Sequence, residues 1–426
     1  MNFKTLDDIA LAGLKVLIRA DLDVPIKSGA VQDKIRLKRF VPTLQRLSAA
    51  KAKTIIIGHL GRPKSRDESF SQRPTATVLA VEMGHEIKFV DDCVGEKVRA
   101  AVDAMQPGDI LMLENLRFHA DETATDKRFA HEGKNSCDIG TSTFAKDLAS
   151  LADIYVNDAF ANSHRAHASM VELPCLLPSY AGPIVQAEVE ALERALENPT
   201  RPMMAIVGGS KVSTKLDLLN NIVPRVNKLV LGGAMANTFL AAKGINVGAS
   251  MHEAEMIDQA RTIMKTAIDH GCEIILPQDA ILADRVASDA RIRMAPITDV
   301  RPDEMILDVG PTSIAYLYQT LEHMKTLLWN GPLGVFEILP FDAGTMAVAK
   351  FAATKTQAGQ LVTIAGGGDT AAAMNIAGVA DRLTYLSTAG GAFLEWLEGK
   401  ILPGIAALTP SGATTGSEKL KIVSRS

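Results

Sequence analysis

The sequence predicts an α/β protein built as two doubly wound parallel-sheet domains facing across a cleft. Three observations lead there. Short β-branched runs recur along the chain, each followed by residues at helical spacing. The runs are apolar throughout instead of alternating, as parallel strands covered on both faces require. The chain has 426 residues, 47% apolar and 22% charged, more than a single core usually supports.

The predicted strands of the first half are KVLIRAD (15–21), TIIIGH (54–59), EIKFVD (86–91), DILMLEN (109–115) and DIYVND (153–158). Those of the second are MMAIVGG (203–209), KLVLGG (228–233), EIILPQD (273–279), MILDVG (305–310), TLLWNG (326–331), LVTIAGGG (361–368) and RLTYLS (382–387). Between the halves, Pro174, Pro178, Gly182 and Pro183 favour irregular chain. IVQAEVEALERALEN then has the helical period, with apolar residues at 185, 189, 192 and 196, and Pro199 and Pro202 close it. This helix either bridges two domains or belongs to the surface of one; periodicity is compatible with both. The expected division is therefore 1–183, a connecting helix 184–199, and 200–399.

A formal net charge of -4 and a pI near 6.2 argue against whole-surface attraction to nucleic acid or acidic membranes. Cys93, Cys137, Cys175 and Cys272 show no paired spacing and are expected to be reduced thiols of a cytoplasmic protein. The opening residues lack a signal-peptide pattern, and no apolar run is long enough to predict a membrane span. TPSGATTGSEKLKIVSRS, at the end, is small and polar in its first half.

In open parallel sheets, ligands gather beyond the carboxyl ends of the strands. The unusual residues of this chain sit there. Arg19, Asp21 and Asp23 follow the first strand, His59 and Arg62 occupy GHLGRP, and Arg117 follows a strand in ENLRF. NDAFANSHRAHAS contributes His164, Arg165 and His167 within a run of small residues, and Arg36 opens a helical segment. Five arginines on separate strand ends suit a small polyanion, because guanidinium stays charged and presents a planar donor fork. Any one of them could equally be a solvated or salt-bridged surface residue. HRAH invites a metal reading, but two histidines three apart lack an evident third ligand.

The second half offers glycine, lysine and amide. IVGGSKVSTK has the outline of strand, turn and helix start; Gly208 and Gly209 permit close backbone approach, and Lys211 and Lys215 could address one anion from successive turns. It is not a Walker A loop. In IAGGGDTAAAMN, Gly366, Gly367 and Gly368 precede Asp369 and Thr370, a pattern for phosphate at a helix N-terminus with an acid for Mg²⁺. Asp369 could also be a helix cap. Gly310 and Pro311 in DVGPTS, Asn330 and Glu337 in WNGPLGVFE, and Gly232 and Gly233 in GGAMANTF mark further strand exits suited to an adenosine group, with Glu337 as a ribose acceptor. Trp329 reads as core. Together the two sets imply phosphoryl transfer, with electrostatic stabilisation led by Lys211 and Arg36 and water excluded by closure.

The motifs RADLDVP, HLGRP, ENLRF, VNDAF with HRAH, VGGSKVSTK, DVGPTS, NGPLGVFE, GGGDTA and LEGKILPG closely resemble, in order, those of the phosphoglycerate kinase family, up to about Leu408. The resemblance implies reversible transfer between 1,3-bisphosphoglycerate with ADP and 3-phosphoglycerate with ATP, aided by Mg²⁺. It implies acid binding by Asp21, Asp23, Arg36, His59, Arg62, Arg117 and Arg165, and stabilisation of the moving group by Arg36 and Lys211. Lys215, Asp369 and Thr370 would serve the nucleotide phosphates and magnesium, Asn330 and Glu337 would position the nucleotide, and Gly232–Gly233 and Gly310–Pro311 would border adenosine. A cytoplasmic monomer closing by hinge bending, its last segment (400–426) returning to the first domain, is also implied. Four departures stand out: Asp23 replaces the family's usual Asn, FANSHRAHAS replaces FGTAHRAHSS, GGSK replaces GGAK, and STAGGAF places Phe393 where a smaller residue is usual. A noncatalytic relative or another small-carboxylate kinase is the alternative reading. A dinucleotide-dependent dehydrogenase would need a GxGxxG fingerprint, and a nucleic-acid binder a broad basic stripe; neither is present.

Overall fold

Strand β1 (Lys15–Ala20) is buried along both faces, and the sheet grows outward from it. The computed structural model describes residues 3–132, 137 and 140–409. They divide into two units, Met1–Val189 with Ile401–Ser426, and Glu190–Lys400.

In the first unit, β1 is followed by a short hairpin, β2 (Ile26–Lys27) and β3 (Ala30–Val31), then by α1 (Ile35–Ala49), β4 (Lys53–Ile57), α2 (Arg73–Met83), β5 (Lys88–Val90), α3 (Glu96–Asp103) and β6 (Ile110–Leu113). After α4 (Asp121–Glu132) and α5 (Thr143–Ala149) come β7 (Ile154–Asp158), α6 (Leu173–Leu176) and β8 (Ser179–Ala181); α7 (Pro183–Leu196) begins in this unit, and the division between the units falls within it. The six-stranded sheet has the order β5-β6-β4-β1-β7-β8, with every pairing parallel. Because β4 lies on one side of β1 and β7 on the other, the winding reverses at β1, and a crevice opens at the carboxyl ends there. α1 forms because Leu37, Phe40, Val41, Leu44 and Leu47 repeat at helical spacing; they pack against Val16 and Ile18. Arg36, on the first turn of α1, stays off that apolar face and is part-buried.

The second unit repeats the design. β9 (Met203–Gly208), α8 (Leu216–Ile222), β10 (Lys228–Gly232), α9 (Gly233–Ala242), α10 (Ile257–Asp269) and β11 (Glu273–Ile275) make one wing. A small three-stranded sheet of β12 (Asp279–Ala283), β13 (Ile292–Pro296) and β14 (Met305–Val309) follows, with α11 (Pro311–Glu322). β15 (Thr326–Asn330), α12 (Ala343–Gln357), β16 (Val362–Gly366), α13 (Gly368–Ile376), β17 (Tyr385–Ser387) and α14 (Gly390–Leu397) complete it. The main sheet runs β11-β10-β9-β15-β16-β17, again parallel, with its switch between β9 and β15. Trp329 is 1% exposed within the cluster formed with Leu317 and Leu321 of α11 and Val348 and Ala352 of α12, so it is core as expected. α15 (Pro403–Ala406) then belongs to the first unit, where Gly404 N donates to Ser163 O at 2.8 Å and Asn157 Nδ2 donates to Gly404 O at 3.1 Å. Residues 410–426, most of the tail singled out in the sequence, lie outside the described residues.

Three expectations need correction. MILDVG is not a parallel strand of the main sheet: β14 pairs antiparallel with β12, which pairs antiparallel with β13. An apolar run is compatible with either sheet, and β13, whose Ile292 and Met294 are exposed, carries little core signal. EIILPQD is not one strand either; β11 ends at Ile275 and β12 begins at Asp279. Finally, Cys137 and Cys175 are joined in a disulfide, Cα–Cα 5.4 Å apart across 38 residues of sequence, whereas Cys93 and Cys272 are free and buried. Sequence spacing cannot reveal a bridge between α6 and the connection leading to α5.

Candidate functional site

The strand exits of the first unit bring the basic residues together on four adjacent strands. Asp21 and Asp23 follow β1, His59 and Arg62 follow β4, Arg117 follows β6, and Arg165 follows β7, in the sheet order β6-β4-β1-β7. Arg62, Arg117 and Arg165 line a cavity of about 300 Å³ with Pro63, Thr123, Asp126 and His167. Asp21, Asp23, Arg36 and His59 do not line that cavity but form a second group beside β1. There, Arg36 Nη1 donates to Asp21 Oδ1 at 3.2 Å and to the Asp23 carbonyl at 2.8 Å. Asp23 Oδ1 accepts from Gly61 N at 2.8 Å, and Arg117 Nη1 donates to Gly61 O, so the groups share one loop.

Arg19 behaves differently from the other four arginines. Completely buried, it donates from Nε to Ser169 Oγ (3.0 Å), from Nη1 to Ala20 O (2.5 Å) and from Nη2 to His59 Nδ1 (2.7 Å). Its guanidinium is therefore an interior brace and not a wall of the cavity. Ser169 in turn donates to the buried Glu122, and His167 stands 3.6 Å from Glu122 and 3.3 Å from Asp126. Glu122, Ser169 and Asp126 are site-supporting residues that the sequence did not single out; the long α4 side of this network has no motif of its own.

Electrostatically the region favours an anion. Burial holds the His59 imidazole down to about pKa 3, with Arg19 and Arg117 adding to the effect against Asp23, and burial with Arg165 holds His164 to about 4. Both rings are neutral donors near pH 7, so the arginines carry the positive charge. For Asp23, burial opposes ionisation, but the contacts with His59 and the Gly61 amide outweigh it and keep the carboxyl ionised. Burial raises the Asp21 carboxyl despite Arg36. Arg117 Nε, on a residue lining the cavity, is buried with no hydrogen-bond partner among the described residues, a donor that an anionic ligand would satisfy.

In the second unit four adjacent exits again converge, in the sheet order β10-β9-β15-β16. Gly208 ends β9 and Gly209 follows it, Gly232 ends β10 and Gly233 opens α9, Asn330 ends β15 and Gly331 follows it, and Gly366 ends β16 just before Gly368, Asp369 and Thr370 open α13. Their backbones nearly touch: a side chain on Gly208 would strike the Pro332 carbonyl, and a Cβ on Gly233 would stand 2.7 Å from Gly209 O. Lys215 Nζ donates to Asn330 Oδ1 and Gly208 O, both at 2.6 Å. Asn330 Nδ2 donates to Gly366 O at 2.8 Å, and Gly331 N donates to Thr370 Oγ1 at 2.7 Å. Burial lowers the Lys215 ammonium to about pKa 8, with Asp369 opposing.

Lys211 and Lys215 do not lie on successive helical turns, because α8 begins only at Leu216; Lys211 is exposed in the preceding loop. Asp369 and Gly368 are exposed at the start of α13, and Glu337 is exposed in the loop after β15. Gly310 and Pro311 follow β14, in the small sheet, and the amides of Thr312 and Ser313 beside them already donate to the Asp279 carboxylate. No cluster of three or more metal-binding side chains occurs among the described residues.

Comparison with known proteins decides the family. The family model described as phosphoglycerate kinase matches residues 6–400. The chain belongs to the phosphoglycerate kinase family. It is 51% identical to a phosphoglycerate kinase of Rhodospirillum centenum over 409 residues, covering 96% of this chain and 100% of the relative. With that of Granulibacter bethesdensis the identity is 52%, over the same length and the same shares. The solved phosphoglycerate kinase of Coxiella burnetii superposes with a TM-score of 0.86 at 39% identity, covering 97% of this chain and 100% of that one. Two parallel α/β sheets are therefore the phosphoglycerate kinase architecture here. No helix among the described residues is long and apolar enough to cross a membrane.

Proposed function

We propose that the chain is an ATP:3-phosphoglycerate 1-phosphotransferase, moving a phosphoryl group reversibly between 1,3-bisphosphoglycerate with ADP and 3-phosphoglycerate with ATP. The observation that carries this reading is the cavity walled by Arg62, Arg117 and Arg165 at a strand-exit switch point, in a phosphoglycerate kinase. Three arginines fit a ligand bearing both phosphate and carboxylate. Asp21, Asp23, Arg36 and His59 complete the acid site in this reading.

The glycine turns of the second unit take the nucleotide. Gly208, Gly209, Gly232 and Gly233 supply close backbone, and Gly366–Gly368 present the first amides of α13 to phosphate. Lys215 and Thr370 join them; Asn330 and Glu337 position the nucleotide, with Gly310 and Pro311 at the adenosine border. A single exposed carboxylate, Asp369, fits Mg²⁺ held mainly by nucleotide oxygens and water, a common donor set for that ion. Bound there, the ion would neutralise phosphate charge. The same reading makes the enzyme a cytoplasmic monomer that closes by hinge bending, properties that rest on the family resemblance.

The nucleophile needs no general base, because a carboxylate is already ionised near neutral pH. Catalysis is then alignment and charge stabilisation. Arg36 donates to Asp21 and Asp23 in this structure, and transfer requires it to turn toward the moving group, which Lys211 meets from the exposed loop. A coupled assay of ATP-dependent phosphorylation of 3-phosphoglycerate tests the assignment. Arg36→Ala and Lys211→Ala should each lower kcat by roughly 10²–10³-fold, Lys211→Ala with an unchanged melting temperature because that side chain is exposed. Near-parental turnover by either variant rejects its role.

A further inference from the structure

The turn Gly366–Gly368 contains three successive glycines, so it has no side chains of its own to anchor it. Its support comes from outside. Phe393 of α14 is completely buried, and its ring lies directly against Gly366: a Cβ on that glycine would stand 2.7 Å from both Cε1 and Cζ. On the other side, the Gly366 carbonyl is held by Asn330, whose Oδ1 also holds Lys215. Gly366 is thus gripped between an aromatic ring and the amide that sets the lysine.

The ring itself is on a fixed platform. Ser387 of β17 pairs with Gly366, and its Oγ accepts from Ala389 N at 3.1 Å just before α14 begins. At the far end, Asn221 Nδ2 donates to Leu397 O at 2.7 Å, tying α14 to α8, the helix that follows Lys215. Protein interiors are close-packed, and a rigid ring transmits position where a chain of glycines cannot.

We propose that Phe393 is a positioning residue for the nucleotide: its ring sets the height of the Gly366–Gly368 turn, and with it the aim of the first amides of α13 and the Asn330–Lys215 contact. The proposal rests on the reading of this turn as the nucleotide-phosphate site. Without the ring, a cavity opens beneath a backbone free to sink into it, and displacements of about 1 Å are enough to weaken binding and transfer strongly.

Steady-state kinetics with both substrates tests this on the full chain. Phe393→Ala should raise the KM for ATP about tenfold while leaving the KM for 3-phosphoglycerate within about twofold, and Phe393→Leu should recover most of the loss. Gly366→Ala, whose methyl group meets the ring, should be impaired alone and improved when combined with Phe393→Leu. Should Phe393→Ala fail to fold, the leucine variant and the Gly366 pair carry the test. Equal changes in both KM values, no change in either, or a Gly366→Ala defect indifferent to residue 393 would overturn the proposal. Asp369→Asn and Lys215→Met separate the two readings. If they leave the KM for ATP untouched, the nucleotide site itself is misplaced. If they raise it while the Phe393 and Gly366 variants do not, only the positioning role falls.

Discussion

Arg19 Nη2 lies 2.7 Å from His59 Nδ1, and because a guanidinium can only donate, that ring nitrogen must accept. The proton of neutral His59 is therefore on Nε2, which lies 3.7 Å from Asp23 Oδ2. One buried arginine thus selects the tautomer of a site histidine and the direction in which it donates. The nitrogen-15 shifts of His59 should show a bare Nδ1 throughout pH 5–8. Arg19→Met should remove that preference and, by breaking the buried hydrogen bonds to Ser169, Ala20 and His59, lower stability by about 3 kcal/mol in urea titrations. A protonated Nδ1 in the parent protein would contradict the assignment.

Asp23 brings a carboxylate close to the anion cavity, held ionised by its contacts with His59 and Gly61. Asp23→Asn removes that charge while an amide oxygen can still accept from Gly61. The KM for 3-phosphoglycerate should fall about threefold to fivefold, the size expected for one solvent-screened charge near 4 Å. The effect should shrink as ionic strength rises, since the charge is partly exposed. An unchanged or higher KM at low salt would show that Asp23 does not repel the ligand.

Lys215 has a pKa near 8, because its ammonium is largely withdrawn from water. It is charged below that pH and loses its proton above it. Nucleotide affinity should therefore be level below about pH 7 and weaken as pH rises past 8, measured as kcat/KM for ATP. Lys215→Arg should flatten the profile, since guanidinium stays charged. A profile with no break near pH 8 in the parent enzyme would rule out this contribution.

Asp158, at the end of β7, is completely buried and accepts from Thr43 Oγ1 at 2.8 Å and from Ile184 N at 2.7 Å, beside the start of α7. Burial raises its pKa to about 6, against these hydrogen bonds. The folded state then holds the proton more tightly than the unfolded chain does. Its stabilising share is complete below about pH 4 and is lost as pH rises through 6, a swing of about 3 kcal/mol. Asp158→Asn keeps an acceptor for the amide and can donate to Thr43. Relative to the parent, its unfolding free energy should therefore improve between pH 4 and pH 7.5. A constant offset at both pH values would refute the linkage.

Much of this site was legible because parallel strands announce themselves as apolar runs and ligands collect where such runs stop. Arg62, Arg117 and Arg165, and the glycines after β9, β10, β15 and β16, all sit at those stops. The direction of each side chain was not legible. β1 is buried on both faces, so alternation could not reveal that Arg19 turns inward while Asp21 does not. Lys211 and Lys215 share a four-residue spacing, but the helix begins only at Leu216, after both, so the spacing does not set them on one helix face. The Cys137–Cys175 bridge and the β12–β13 pairing depend on long-range contacts that no local pattern encodes.

α15 carries a consequence for biosynthesis. Gly404 exchanges hydrogen bonds with Ser163 and Asn157, and a Cβ there would stand 2.8 Å from Met170, so the final turn is seated among residues flanking Arg165. A nascent chain that has emerged only as far as the second unit still lacks this turn. The Arg165 segment can therefore reach its finished packing only after translation has passed residue 404, and the unit made first is completed last.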